Sequence, residues 1–82
     1  MARLHAHVVS RALRRAGFRP LPSGTPRTRE GLRVSRAATH VVVLVDLDSA
    51  SAAARATDDV FDTLAAKGYV VDRVAPNRVN VR

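Results

Sequence analysis

The segment HVVVLVDL, residues 40–47, is the strongest strand candidate in the chain. Apolar residues fill its middle, and β-branched valine dominates, which is typical of a strand that is buried on at least one face. Side chains alternate between the two faces of a strand. The inward set would be Val41, Val43, Val45 and Leu47, and the outward set His40, Val42, Leu44 and Asp46.

The outward set has an apolar middle, which a solvent-facing strand surface would not need. We therefore expect a second layer, another protein or a second copy of the chain to cover it. The predicted protein interface is His40, Val42 and Leu44, and the predicted assembly is a homodimer. A shift of the register by one residue, or a loop lying over the strand, is the alternative explanation.

An amphipathic helix comes first in the chain. Its apolar arc is Leu4, Val8, Val9, Ala12, Leu13 and Ala16, and its polar arc is Arg3, His7, Ser10, Arg11 and Arg14. Gly17 ends this helix, and Phe18 is expected to pack back on Leu13. The same leucine, glycine and aromatic spacing closes a second helix over residues 49–67, at Leu64, Gly68 and Tyr69. The chain thus contains a weak internal repeat of a helix followed by a hairpin.

Residues 19–31 hold three of the four prolines and no apolar periodicity, so they form a mobile, Arg-bearing loop. Short strands follow over residues 32–35, 69–74 and 78–81. The 82 residues thus form one domain of α+β class. We predict a two-layer sandwich in the order α-β-β-α-β-β, with a four-stranded antiparallel sheet and two helices on one face. This order is a circular permutation of the ferredoxin-like arrangement.

Charge is distributed unevenly along the chain. Residues 1–36 contain nine arginines and one glutamate, whereas residues 37–82 contain five basic residues and six aspartates. Such asymmetry favours an acidic protein partner or a nucleic acid near the first third of the chain. The predicted basic surface is Arg3, Arg11, Arg14, Arg15, Arg19, Arg27, Arg29, Arg33 and Arg36. With three aromatic residues in the chain, no stacking platform for single-stranded nucleic acid is expected.

The apolar run at residues 41–45 ends in an Asp-x-Asp sequence, formed by Asp46 and Asp48. This segment resembles the first motif of the haloacid-dehalogenase-like phosphotransferases. The resemblance implies a nucleophile at Asp46 and a general acid/base at Asp48, near Mg²⁺. However, Ser49 and Ala50 stand where that family has Gly-Thr, and 82 residues are too few for its parallel sheet. The alternatives are a simple Mg²⁺ site, or Asp48, Ser49 or Ser51 as the cap of the second helix.

The histidines do not indicate a metal centre. His5 and His7 would point about 200° apart on one helix and could not chelate together. His5 lies on the apolar arc, so we expect it to pack against the core or an interface. Without cysteine, a zinc site is implausible. We predict no enzyme activity and no cofactor.

No apolar run approaches the roughly 18 residues of a membrane span, and no signal peptide is visible, so we expect no membrane contact and a cytoplasmic location. In composition and length the chain resembles small proteins of GC-rich actinobacteria and their phages. That resemblance implies an accessory or host-interfering factor. The predicted function is a non-catalytic, self-associating protein-binding module, and the alternative is a basic nucleic-acid-binding protein.

Overall fold

The computed structural model describes residues 4–22, 24–26 and 28–82. Its elements are α1 (Ala6–Arg15), β1 (Gly31–Arg36), β2 (Val41–Asp46), α2 (Ala50–Ala66), β3 (Val71–Ala75) and β4 (Arg78–Val81). The four strands form one sheet in the order β1-β2-β4-β3, and every neighbouring pair is antiparallel. The predicted α+β class is confirmed.

The core is built on β2, whose burial alternates as its sequence predicts. Val41, Val43 and Val45 are fully buried, whereas Val42 and Leu44 between them are only half-buried. β4 contributes the second row of valines beside this strand. One cluster of fully buried side chains joins both helices to the two strands: Val9, Leu13, Val41, Val43, Val60, Leu64, Val79 and Val81. Burying one such aliphatic side chain stabilises the fold by about 1.5–3 kcal/mol.

Both helices end in the same way. Gly17 and Gly68 have φ of +100° and +93°, which is the left-handed region that glycine adopts at low cost. The N–H of Phe18 donates to the carbonyl of Leu13 at 3.0 Å. Likewise, Tyr69 N–H donates to Leu64 O at 3.1 Å. Both aromatic residues then pack against the core cluster, so the repeated helix ending predicted from the sequence is confirmed.

Ser49 caps the N-terminus of α2. Its hydroxyl accepts from the N–H of Ala52 at 3.3 Å and lies 3.1 Å from the hydroxyl of Ser51. Of the three cap candidates, the structure therefore selects Ser49. The carboxylate of Asp48 is exposed, and the main-chain N–H of Asp48 donates to the side chain of Glu30.

His5 was expected to pack against the core or an interface, and it does not pack against the core. α1 begins at Ala6, and His5 stands before it as the N-cap with extended backbone angles of −100° and 147°. Because His5 is outside the helix, its side chain does not follow the apolar arc and is exposed. Its ring stacks on His7 with 5.5 Å between the centroids. The 200° separation expected for two helical residues therefore does not apply to this pair.

Candidate protein-binding face

The sheet has a second face, which we call the open face, on the side opposite the core valines. Antiparallel partners point to the same side of a sheet, so the register identifies the members of this face. Leu44 lies opposite Arg33 on one side and Arg78 on the other. Val42 lies between Ser35 and Asn80, and Asn80 in turn faces Asp72 of β3. The outward set of β2 is thus at the middle of the open face.

A surface groove of about 380 Å³ crosses the open face. The side chains of Val42 and Leu44 are its apolar members, and both remain half-buried. Polar side chains complete the lining: Thr25, Arg33, Ser35 and Arg78. An apolar floor with a few polar groups around it is the usual composition of a surface that binds another molecule.

Arg33 closes one side of this groove by holding the loop that precedes β1. Its guanidinium donates to three loop carbonyls, those of Thr25 at 2.9 Å, Pro26 at 2.7 Å and Arg29 at 2.6 Å. Its Nε donates to Asp46 Oδ2 at 3.3 Å. The planar fork of arginine suits several acceptors at once. The loop therefore covers part of the open face, and the guanidinium of Arg33 is engaged by the protein itself.

The same loop also approaches the edge of β1. Leu21 N–H donates to Leu32 O at 2.8 Å, and Pro20 forms a parallel bridge with Leu32. A side chain at Gly31 would bring its Cβ within 2.9 Å of Leu21 Cγ. The glycine, which has φ of +148°, is thus required both by its backbone angle and by the close contact with Leu21. One end of the β1 edge is therefore protected by residues 20 and 21.

Asn80 supplies an unusual group at the middle of the open face. Its side-chain oxygen is buried and accepts no hydrogen bond from any of the described residues. A buried polar atom without a partner costs about 1–3 kcal/mol. Its cross-strand neighbours are Val42 and Asp72, so a molecule on the open face would lie next to it. A donor from such a molecule would remove this cost.

His40, the third predicted interface residue, lies just outside β2. It is half-buried in the hairpin turn, where its carbonyl accepts from Ala37 N–H at 2.8 Å. Its Nδ1 is 3.2 Å from the hydroxyl of Thr39. The structure thus brings Val42 and Leu44 together with Arg78 in the groove and places His40 at the hairpin end, outside the groove lining.

The predicted basic residues are mostly exposed. Within residues 4–22, 24–26 and 28–82, six of them are exposed and form no ion pair: Arg11, Arg14, Arg15, Arg19, Arg29 and Arg36. Arg33 differs from these because of its loop contacts. Arg3 and Arg27 lie outside the described residues. Two of the exposed arginines, Arg14 and Arg15, are in the last turn of α1, where a cation interacts favourably with the helix dipole.

Three of the seven acidic side chains, Asp58, Asp59 and Asp62, lie together on α2, and the other four are dispersed. Asp46 pairs with Arg33, and Asp58 on α2 pairs with Arg73 of β3. Among the described residues, no group of three or more histidine, aspartate or glutamate side chains could hold a metal ion. The two aspartates of the Asp-x-Asp motif thus differ in surroundings, since Asp46 is on the open face and Asp48 is at the start of α2.

Sequence reasoning did not single out Arg78, Asn80, Val70 or Val74. The first two follow from the register between β2 and β4, which a single sequence does not reveal. Val70 and Val74 are 61% and 50% exposed, and they are the large apolar side chains that protrude most among the described residues. Their spacing on either side of Asp72 in a strand-like segment is the signal that could have identified them.

Comparison with known proteins adds no assignment. No family model matches the chain, and the searches of curated proteins and of solved structures found no match. Neither helix in the described part of the chain has the length and apolar character needed to cross a membrane.

Proposed function

We propose that this chain is a non-catalytic protein-binding module that holds an acidic partner segment on its open face and self-associates through its sheet. The groove around Val42 and Leu44 carries this proposal, because it combines apolar side chains with an exposed cation. No pairing within the described residues uses the guanidinium of Arg78. The groove therefore suits a carboxylate next to an aliphatic side chain.

A second copy is a poorer occupant of this groove than an acidic segment. If two copies docked groove to groove about a two-fold axis, the exposed Arg78 guanidinium of each copy would be enclosed in the same interface, with no carboxylate among the described residues of the groove lining to pair with it. Like charges that face each other across an interface oppose association. An extended or helical segment with an aspartate or glutamate beside a leucine or valine has no such conflict. Self-association of the module then requires another part of the sheet.

Leu44→Asp tests the role of the groove. The new carboxylate would lie between Arg33 and Arg78 in the register, so the fold has a means to accommodate it. The matched control is Ala52→Asp, which adds the same charge at an exposed position in the first turn of α2. Both variants should remain folded by circular dichroism.

The binding readout is selection from a random peptide display library on the immobilised protein. We expect enriched peptides that place an acidic residue beside an aliphatic one. These peptides should bind the Ala52→Asp control as well as the parent chain and should lose at least tenfold in affinity for Leu44→Asp, about 1.4 kcal/mol. Absence of enrichment, or equal binding to Leu44→Asp, would contradict the proposal.

Nucleic-acid binding is the second candidate, and it is favoured by a separate observation. Arg11, Arg14, Arg15 and Arg19 are exposed and form no ion pair within the described residues. They come from α1 and the turn after it, away from the sheet strands in sequence. Such a group could neutralise several phosphates without reading base identity.

A further inference from the structure

β3 is an edge strand of the sheet, and its outer side is open. Val70 and Arg82 exchange two main-chain hydrogen bonds, of 3.3 and 2.8 Å. In an antiparallel pair, hydrogen-bonded and non-hydrogen-bonded positions alternate. The next bonded pair is therefore Asp72 with Asn80, and the N–H and C=O groups of Val71 and Arg73 point away from β4. No turn, loop or cap hydrogen bond of the described residues uses these groups.

The two edge strands of the sheet differ in how much of their outer side is covered by another segment. Residues 20 and 21 protect part of the β1 edge, whereas no described segment bridges to β3 on its outer side. Proteins usually block an open edge, because it can pair with another strand. Here a β-bulge follows Arg73, where Val74 and Ala75 together oppose Arg78. The regular part of β3, residues 71–73, comes before that bulge, and the Val70–Arg82 hydrogen bonds extend its pairing with β4 by one residue.

Val70 and Val74 lie on the open-face side of this edge. Val70 and Asp72 are two residues apart and share one face, and Val74 follows Asp72 by two residues, in the bulge whose other member, Ala75, is paired with the open-face residue Arg78. Both valines are at least half exposed. Asp72 between them lies 3.7 Å from Arg82, so part of its charge is neutralised within the chain.

We infer that β3 pairs with β3 of a second copy, antiparallel about a two-fold axis at Asp72, to give a continuous eight-stranded sheet. In this register Val71 and Arg73 form bonded pairs with Arg73 and Val71 of the second copy, which uses all four outward main-chain groups of each strand. Val70 lies opposite Val74 of the second copy, and Val74 opposite its Val70. The exposed valines therefore cover each other across the axis.

Neighbouring registers do not achieve this match. An axis at Val71 would place Val74 opposite Gly68 of the second copy, which has no side chain to cover it. An axis at Arg73 would place Val70 opposite Pro76 and Val74 opposite Asp72 of the second copy, so the exposed valines would not cover each other. The Asp72 register brings two like charges together, but each aspartate has Arg82 beside it. The self-complementary edge, rather than the groove, thus accounts for self-association.

This inference rests on the proposed function, because it names the surface through which the module self-associates. Disulfide trapping tests the register directly, since the chain contains no cysteine. Asp72 would face Asp72 of the second copy at a non-bonded position, where the Cα atoms are about 4.5 Å apart and a disulfide can form. We expect Asp72→Cys to cross-link on mild oxidation about tenfold faster than Ala38→Cys, an exposed control in the β1–β2 turn, because pairing raises the local thiol concentration.

A mixture of single-cysteine variants distinguishes this register from a general association. Val70→Cys mixed with Val74→Cys should give the crossed disulfide faster than either variant alone, because two copies of residue 70 would be about 13 Å apart. Equal rates for the mixture and the single variants would overturn the register. Equal rates for Asp72→Cys and Ala38→Cys would overturn the edge pairing.

Light scattering over about 10 µM to 1 mM detects dimers whose Kd lies in the micromolar to millimolar range. Asp72→Asn should lower the dimer Kd about two- to fivefold by removing the like-charge pair.

Val74→Lys should give monomers, whereas Ala38→Lys should not. Val74→Lys should still bind the groove peptides, and Leu44→Asp should still dimerise. A dimer that is lost in Leu44→Asp and kept in Val74→Lys would overturn the edge inference while leaving a sheet-mediated assembly in place. A parent chain that stays monomeric throughout would overturn self-association itself.

Discussion

Arg33 and Asp46 are joined across the β1–β2 pair by a 3.3 Å ion pair, and the rest of the Arg33 guanidinium holds the preceding loop. The side chain of Arg33 is 19% exposed and that of Asp46 42%. The pair therefore lies where the loop meets the open face. The Arg33 side chain thus holds the part of the loop at residues 25–29 beside the groove.

Replacing Arg33 with lysine should release the loop while retaining a positive charge. Lysine offers a compact ammonium in place of the planar fork, so it cannot reach three carbonyls and Asp46 together. We expect a loss of about 1–2 kcal/mol in the free energy of unfolding. Hydrogen exchange of the Arg29 amide, which donates to Pro26 O at 3.1 Å, should accelerate. Arg36→Lys, at an exposed position of the same strand, is the control. Unchanged exchange in Arg33→Lys would show that other contacts hold the loop.

Asn80→Val should stabilise the isolated chain. The substitution removes a buried oxygen that has no partner among the described residues and places a β-branched residue in an interior strand of the sheet. We expect a gain of about 1 kcal/mol in urea denaturation. The same variant should bind the groove peptides more weakly if their donors reach the Asn80 oxygen. Asn80→Asp is the contrasting variant, because it replaces the amide with a charge that has to be desolvated, and it should destabilise the fold. A loss of stability in Asn80→Val would show that the amide has a favourable role in the monomer.

Two glycine substitutions should differ in cost. Gly17 and Gly31 both have positive φ, so alanine strains the backbone at either position, by about 1–2 kcal/mol. Space around Gly17 is open, whereas at Gly31 the new Cβ would also collide with Leu21. We therefore expect Gly31→Ala to lose clearly more stability than Gly17→Ala in urea denaturation. Adding Leu21→Ala to Gly31→Ala should recover part of the difference. Equal losses for the two single variants would show that Leu21 can move aside freely.

The helical arginines have their own test. Replacing Arg11 and Arg14 together with alanine should weaken binding to mixed-sequence duplex DNA and reduce the salt slope by about 0.9 for each phosphate that is no longer neutralised. Arg55→Ala with Lys67→Ala removes the same charge from exposed positions on α2 and at its end. This control should change binding less. Equal effects of the two double variants would indicate attraction by net charge alone, and DNA binding that is unaffected in both would exclude a role for α1.

The parts of the fold that the sequence predicts are those set by near neighbours. Alternation in residues 40–47 gives the burial of β2, because the side-chain period of a strand is local. The two glycine caps are similarly local, since each involves residues within five positions. The sequence placed Leu4 and His5 inside the first helix, whereas the helix begins at Ala6. This error arose because the apolar spacing extends to residues on the N-terminal side of the helix start.

The candidate sites depend on contacts between distant segments, which explains why they were only partly predictable. Val42 and Leu44 followed from periodicity alone. The role of Arg33 could not be distinguished from that of the other arginines, because nothing near it in the sequence indicates that its side chain binds carbonyls four to eight residues earlier. Arg78 and Asn80 join the open face only through the pairing of β4 with β2. The exposure of Val70 depends likewise on the sheet order, which places β3 at an edge.

The strand order β1-β2-β4-β3 gives the fold an approximate two-fold symmetry. If the first helix and hairpin exchange places with the second, β1 is replaced by β3 and β2 by β4. The result is the same strand order, read from the opposite edge of the sheet. The Leu13 and Leu64 helix endings obey the same exchange. A single helix–hairpin unit that paired with a copy of itself through the inner strand would have the same strand order. The two halves of this chain differ at the outer strands, because residues 20 and 21 lie along β1 whereas no described segment lies along the outer side of β3.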